Sequence, residues 1–212
     1  MNRRYRAPAL FYAGLFLVWG IYEMAVLPAL GLSDRVSFAV SECIKCAVWV
    51  PPALLLLRRT PEPFVKQLFQ WRINWWPYLG AAALLVVYHV VSCFVRTHTL
   101  AIVPEFYPET IPLSLMVGFS EEVVFRGYLL NATIDEKSPW KAILINAAMF
   151  LLIHFPIWIR TGVLAMYLLR LVFMQIVMLS LLFTWGFWKS RSILPAVLLH
   201  TVWDIAVFAL VG

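Results

Sequence analysis

Apolar runs of about 20 residues recur along the whole chain and are separated by short polar segments. A run of that length crosses the ~30 Å hydrocarbon core of a bilayer as a helix. A backbone in lipid must satisfy its own hydrogen bonds, and the sequence shows no polar/apolar alternation of the kind that membrane barrels need. The pattern predicts an all-α membrane protein, a bundle of about seven transmembrane helices. The predicted spans are residues 9–30, 36–57, 76–96, 112–134, 140–159, 163–187 and 193–211.

Composition agrees with this prediction, because 63% of the residues are hydrophobic and 13% are charged. A water-soluble surface needs roughly 25–35% charged residues. Arginines precede the first apolar run, as in a signal peptide, but the run is longer than a signal-peptide core and no small-residue cleavage site follows it. We therefore expect the first helix to remain as an uncleaved anchor.

The basic residues outside the spans lie mainly in alternate polar segments. One side of the membrane would hold Arg3, Arg4, Arg6, Arg58, Arg59, Lys66, Arg72, Lys137, Lys141, Lys189 and Arg191. The other side would hold Arg35, Arg96 and Arg160. The positive-inside rule then places the N-terminus in the cytoplasm and the C-terminus outside. The net charge of +6 thus reflects insertion in a lipid bilayer and implies no nucleic-acid partner. We expect the bilayer to be a bacterial plasma membrane.

Ionisable residues cluster in the C-terminal half, although each costs about 2.5–3.5 kcal/mol at the centre of a membrane helix. Glu122 and Arg126 are four residues apart, share a helix face and can pair. Glu121 is turned about 100° away from Glu122 and has no such partner, so it is predicted to be unpaired. Glu121 is therefore the candidate general base for activating water. The alternative for Glu122 and Arg126 is an ion pair that only fixes helix packing.

Two later spans also bring polar side chains to intermediate depth. Phe150 and His154 share one helix face, and His200 and Asp204 are four residues apart on another helix. These helices and the helix of Glu121 can converge on an intramembrane polar cavity. The cavity would then contain a base, two histidines, a second acid and a buried cation, which are the parts of a hydrolytic site. Imidazole N–H groups would stabilise the oxyanion. For His154 alone, an interfacial position is the alternative.

Polar residues in the first two spans favour structural roles. Glu23 and Lys45 are predicted to pair across helices, and Glu42 lies three residues before Lys45 on one helix. Cys43 and Cys46 form a C-x-x-C without a second pair, so packing is favoured over metal binding. Residues 97–111 form the longest polar loop, either a lid or a plain connection.

The three C-terminal motifs together resemble those of the CPBP family, which comprises type II CAAX prenyl endopeptidases and bacteriocin-processing proteins and is also called the Abi family. The shared pattern is E-E-x-x-x-R, then F-x-x-x-H, then H-x-x-x-(N/D) on late helices. In this chain it is formed by Glu121, Glu122, Arg126, Phe150, His154, His200 and Asp204. The resemblance extends from about residue 112 to residue 204, whereas the first three spans share only their hydrophobicity.

The resemblance implies an intramembrane endopeptidase that uses a glutamate to activate water. Its substrate would be a membrane-embedded or lipid-anchored peptide. Glu121 takes the position of the base, with His154 helping to hold the water, and Glu122 and Arg126 support them. The resemblance also implies that His200 and its partner four residues later stabilise the oxyanion.

This chain departs from the family pattern in two respects. Asp204 replaces the asparagine of the eukaryotic enzymes, and an ionised aspartate cannot donate to an oxyanion, so its alternative role is to orient His200. The eukaryotic members have eight spans rather than seven, so a peripheral helix would be missing. We divide the chain into an N-terminal three-helix membrane region, residues 1–111, and a catalytic core, residues 112–212, within one integral domain.

Three alternatives to a metal-free protease remain open from the sequence. Two histidines and a glutamate are a possible zinc set, but the sequence has no H-E-x-x-H motif, so we favour a site without a metal or another cofactor. A proton-coupled transporter would use the same residues as a relay, but the chain shows neither an internal repeat nor paired broken helices. A catalytically silent immunity or scaffold protein is disfavoured by the complete motif set.

Overall fold

The computed structural model describes residues 3–211, so the outermost residues of the two predicted regions lie outside it. The described part of the chain is helical and contains no strand. Two π-helical segments, Tyr22–Val26 and Val123–Leu130, interrupt the α-helices. The α-helices are α1 (Arg3–Ile21), α2 (Leu27–Ala29), α3 (Asp34–Val48), α4 (Val50–Arg58), α5 (Trp76–Thr97), α6 (Thr110–Glu122), α7 (Asn131–Thr133), α8 (Trp140–Leu152), α9 (Phe155–Arg160), α10 (Leu164–Leu169), α11 (Val172–Ser190) and α12 (Leu194–Leu210).

Five helical stretches among the described residues are long and apolar enough to cross a membrane. They are Arg4–Ala29, Asp34–Arg58, Trp76–Thr97, Trp140–Arg160 and Val172–Ser190. These helices confirm the prediction of an all-α, multi-pass membrane protein. Helix α12 is also apolar but has 17 residues. The predicted span 112–134 forms a helical run from α6 to α7 that contains the charged motif.

The predicted span 163–187 was wrong at its start. Helix α10 ends at Leu169, Leu171 adopts a left-handed conformation with φ of 57°, and the long helix α11 begins only at Val172. A left-handed leucine is uncommon because its side chain crowds the backbone. Arg170 lies at this break, but the residues before and after it are apolar, so mean hydropathy alone does not locate it.

Helix α12 lies at the centre of the bundle and packs against α5, α6 and α11. Its contact with α6 is close at Gly118, where an added Cβ would lie 2.7 Å from Thr201 Oγ1 and 3.2 Å from Val197 O. Helix α3 packs on α6, and α4 packs along Val123–Leu130. Helix α6 is thus held between α3 and α12, and each of these neighbours turns side chains towards the end of α6.

One face of the bundle gathers the segments that carry most of the basic residues. Arg4 donates to Ala132 O at 3.2 Å, which joins the N-terminal helix to the end of α7. Arg191, after α11, pairs with Glu136 at 2.6 Å and lies 3.7 Å from the centroid of the Phe64 ring. The start of α1 and the segments after α4, α7 and α11 therefore meet on one side, as the alternation of charge predicts.

The opposite face holds the loop of residues 97–111. Val103 N donates to Ala209 O at 2.9 Å, which ties this loop to the end of α12. Glu109 pairs with Arg35 at the start of α3. The loop is therefore attached to two helices at this face.

Candidate active site

A cavity of about 450 Å³ lies between the ends of α1, α3, α9 and α12 on the face that holds the 97–111 loop. Its apolar wall includes Trp19, Leu27, Phe38 and Phe208. The charged and imidazole side chains in its wall are Glu23, Asp34, Glu42, Lys45, Glu121, His154, Arg160 and Asp204. The cavity thus reaches three of the six predicted site residues: Glu121, His154 and Asp204.

Glu122 lies behind the cavity at the centre of a buried polar cluster. Arg126 Nη1 donates to Glu122 Oε1 at 2.8 Å, which confirms the predicted pair. Arg126 Nη2 also donates to the carbonyl oxygen of Ser180 at 2.9 Å and contacts its hydroxyl at 2.6 Å. His200 Nδ1 lies 2.9 Å from the same Glu122 oxygen, a contact that the sequence did not predict. Glu122 therefore connects the buried cation of one helix to the histidine of another.

The hydrogen bond to Glu122 fixes the orientation of the His200 ring. A carboxylate accepts, so Nδ1 donates and Nε2 is directed towards the other two acids. His200 Nε2 lies 3.9 Å from Glu121 Oε2 and 3.6 Å from Asp204 Oδ2. The ring also stacks on Phe183 with 4.7 Å between centroids. The spacing of four residues thus brings His200 and Asp204 together, as predicted.

Three polar atoms converge at this point: Glu121 Oε2, Asp204 Oδ2 and His200 Nε2. Glu121 Oε2 and Asp204 Oδ2 are buried, and neither has a hydrogen-bond partner within residues 3–211. Their distances of 3.9 Å and 3.6 Å to His200 Nε2 exceed normal hydrogen-bond length. Contacts of that length between polar groups are commonly bridged by a water molecule.

The prediction that Glu121 has no partner was wrong. Lys45 Nζ lies 2.9 Å from Glu121 Oε1 and 2.9 Å from Glu42 Oε1. The pair of Glu42 and Lys45 was predicted from their spacing, but the partner on α6 is 76 residues away in sequence. The predicted pair of Glu23 and Lys45 was also wrong, because Glu23 Oε2 binds Arg160 Nε at 2.9 Å. Spacing along one helix detects only pairs within that helix.

His154 lies in the turn between α8 and α9, and a contact with the last turn of α8 fixes its ring. Its Nδ1 lies 2.7 Å from the carbonyl oxygen of Phe150, and the two rings are 5.2 Å apart between centroids, as the shared face predicts. A carbonyl only accepts, so Nδ1 carries the proton, and Nε2 is left for a molecule in the cavity. Asn146, one turn earlier, donates to Phe125 O at 2.8 Å and ties α8 to the π-helical segment after α6.

The described residues contain no group of three or more His, Cys, Asp or Glu side chains placed to hold a metal ion. Cys43 is exposed and Cys93 is buried, and both are free thiols. Cys46 is half-buried, so the packing role predicted for Cys43 and Cys46 applies to Cys46 but not to the exposed Cys43.

Residues 103–206 match the family model described as type II CAAX prenyl endopeptidase Rce1-like. This chain belongs to the CAAX protease family. The resemblance inferred from the motifs is thus confirmed, and CAAX-type intramembrane protease activity is supported at the level of the family. No curated protein and no solved structure matches the chain.

The part of the chain that matches the CAAX protease model contains all six predicted site residues, from Glu121 to Asp204. Glu42 and Lys45 lie outside it, on α3, yet they line the same cavity. The signal that points to them in the sequence is an ionisable pair inside an apolar span, which the sequence interpretation assigned to helix packing.

Proposed function

We propose that this member of the CAAX protease family is an intramembrane endopeptidase that hydrolyses a peptide bond in a membrane-embedded or lipid-anchored substrate. The observation that carries the proposal is the convergence of Glu121 Oε2, Asp204 Oδ2 and His200 Nε2, with Glu121 and Asp204 in the cavity wall. A water molecule there would contact a base and an imidazole at once. Those are the groups that peptide hydrolysis by an activated water requires.

In the proposed reaction Glu121 is the general base. Lys45 occupies Glu121 Oε1, so Oε2 takes the proton of the water while the water oxygen attacks the peptide carbonyl carbon. His154 Nε2 accepts a hydrogen bond from the second O–H of the same water, and that proton stays on the oxygen. The proton on Glu121 then passes to the leaving amine as the carbon–nitrogen bond breaks, which restores the carboxylate.

His200 stabilises the developing oxyanion in this scheme. In this scheme the ring is doubly protonated: Nδ1–H donates to Glu122 Oε1, and Nε2–H donates to the carbonyl oxygen of the substrate. Arg126 holds Glu122 and thereby the ring. Asp204 is a carboxylate and cannot donate, so it orients the ring from the Nε2 side, at 3.6 Å.

The experiment that tests the proposal compares protein N- and C-termini in membranes of cells that express the wild type or Glu121→Gln at matched levels. New termini that appear with the wild type and disappear with Glu121→Gln would support the proposal and identify the substrate. Glu105→Gln is the matched control, because Glu105 lies in the exposed 97–111 loop and should leave the termini unchanged. Identical termini for all variants, in a host that carries the natural partners, would contradict the protease function and favour a binding or scaffold role.

A further inference from the structure

Lys45 occupies an unusual position for a lysine in a membrane helix. Its ammonium group lies 2.9 Å from an oxygen of Glu42 and 2.9 Å from an oxygen of Glu121. The rings of Trp19 and Trp49 lie 5.1 Å and 5.5 Å from the same nitrogen, within the range of a cation–π contact. The side chain is 10% exposed. Two carboxylates and two indole faces therefore surround one buried cation.

Packing alone does not account for this arrangement. Glu42 is three residues from Lys45 and by itself balances the lysine charge, so a structural pair would be complete without α6. Instead the ammonium is shared with Glu121, and one oxygen of each glutamate has no hydrogen-bond partner in the described chain. Lys45 thus binds one oxygen of Glu121, the candidate base, and leaves the other oxygen of that carboxylate without a partner among the described residues.

The contact determines which oxygen of Glu121 is available. Because Lys45 occupies Oε1, the free atom is Oε2, which lies 3.9 Å from His200 Nε2. A carboxylate on a flexible side chain rotates between orientations unless one oxygen is held. A general base that is already oriented in the free enzyme avoids the loss of rate that misplacement of a reacting group causes.

We propose that Lys45 is a positioning residue for Glu121: it holds one carboxylate oxygen so that the other faces the attacking water, and Glu42 holds Lys45 in place. The proposal rests on the proposed role of Glu121 as the base. It makes α3, which lies outside the matched residues 103–206, part of the working site.

The kinetic test uses the purified full chain and a peptide chosen from the cleavage sites found by comparing termini. Lys45→Met keeps an apolar stem between the two tryptophans and should lower kcat by about 10- to 100-fold at unchanged KM, the range seen when a group that orients a reacting ligand is removed. Lys45→Arg should recover part of the loss because it keeps the charge. Lys189→Met, at an exposed position, is the control with wild-type kinetics. Unchanged kcat for Lys45→Met, with or without a higher KM, would overturn the proposal.

A second measurement tests the contact without any substrate. We would compare the thermal unfolding of the wild type, Lys45→Met, Glu121→Met and the double variant in the same detergent. Lys45→Met should lower the unfolding temperature, and by clearly less when Glu121 is already replaced, because the shared contact is then absent. If Lys45→Met lowers the unfolding temperature equally with and without the Glu121 replacement, Lys45 and Glu121 do not interact and the proposal is overturned. This result stands even if the wild type produces no new termini, which would contradict only the protease function.

A separate observation concerns the side from which the cavity opens. The cavity wall includes the start of α3 at Asp34 and Ser37, and the end of α9 at Arg160. These residues lie at the face of the 97–111 loop, opposite the face where Arg191 and the other basic segments meet. Basic segments are retained on the cytoplasmic side. We propose that the site opens to the outside and takes peptide segments presented at the outer surface of the membrane.

Cysteine labelling tests this second proposal independently of activity. In a chain with Cys43, Cys46 and Cys93 replaced by alanine, Ser37→Cys at the cavity mouth should react with a membrane-impermeant maleimide in intact cells. Glu62→Cys, in the exposed segment after α4, should react with the maleimide only after the cells are permeabilised. The reverse pattern would overturn the proposal and place the cavity on the cytoplasmic side.

Discussion

Replacement of Gly118 by alanine is expected to impair the site without touching any of its polar residues. Gly118 lies on α6 one turn before Glu121, and it faces the turn of α12 that carries His200. A Cβ at this position would lie 2.7 Å from Thr201 Oγ1, 3.2 Å from Thr201 N and 3.2 Å from Val197 O. The hydroxyl can rotate away, but the two backbone atoms cannot.

The size of the effect follows from those backbone distances. Ordinary Cβ contacts are 3.4–4 Å, so α6 and α12 must separate by about 0.2–0.8 Å around the new methyl group. A misplacement of about 1 Å at a reacting centre costs on the order of 10²-fold in rate. We therefore expect kcat to fall about 3- to 30-fold, because the base and the oxyanion donor move apart. Overpacking of this kind also lowers the free energy of unfolding by about 1–3 kcal/mol.

The assay is turnover of a peptide identified from the cleaved termini, measured together with thermal unfolding in detergent. The matched control is Gly80→Ala on α5, where nothing lies within 4 Å of the added methyl group. Gly80→Ala should keep wild-type turnover and be stabilised by up to about 1 kcal/mol through helix propensity. If Gly118→Ala behaves like Gly80→Ala in both measurements, the close approach of α6 and α12 does not position the site.

Two further substitutions test the buried polar contacts. Arg126→Met leaves the carboxylate of Glu122 buried without its cation, so the free energy of unfolding should fall by about 3–5 kcal/mol; a wild-type unfolding midpoint would contradict the buried pair. Asn131→Ala removes the hydrogen bonds between Asn131 and the backbone of Val65, at 2.7 Å and 3.0 Å, which hold the segment after α4. That change should cost about 1–3 kcal/mol and speed proteolysis of residues 59–75, whereas unchanged cleavage would show that other contacts hold the segment.

Contacts between residues three or four apart on one helix were predictable because helix geometry repeats every 3.6 residues. The pairs of Glu122 with Arg126 and of Phe150 with His154 are formed as their spacing predicts. The length and composition of the apolar runs likewise predicted a helical membrane protein. The motif spacing was specific enough to indicate the family that residues 103–206 match.

Contacts between helices were not predictable in the same way. Lys45 with Glu121, His200 with Glu122 and Arg160 with Glu23 are separated by 76, 78 and 137 residues. Each pair depends on the rotation and depth of two helices. In lipid the apolar faces of a helix are nearly equivalent, so hydropathy does not indicate which face turns inward.

Close packing supplies that information in the folded chain. Gly118 allows α6 to approach α12, and this approach brings Glu121 and Glu122 towards His200. Helix α3 packs on the other side of α6 and delivers Lys45. The residue types of the site and their local pairs follow from a helical period that acts over a few residues. Their assembly around one cavity follows from steric fit between helices that are distant in the chain.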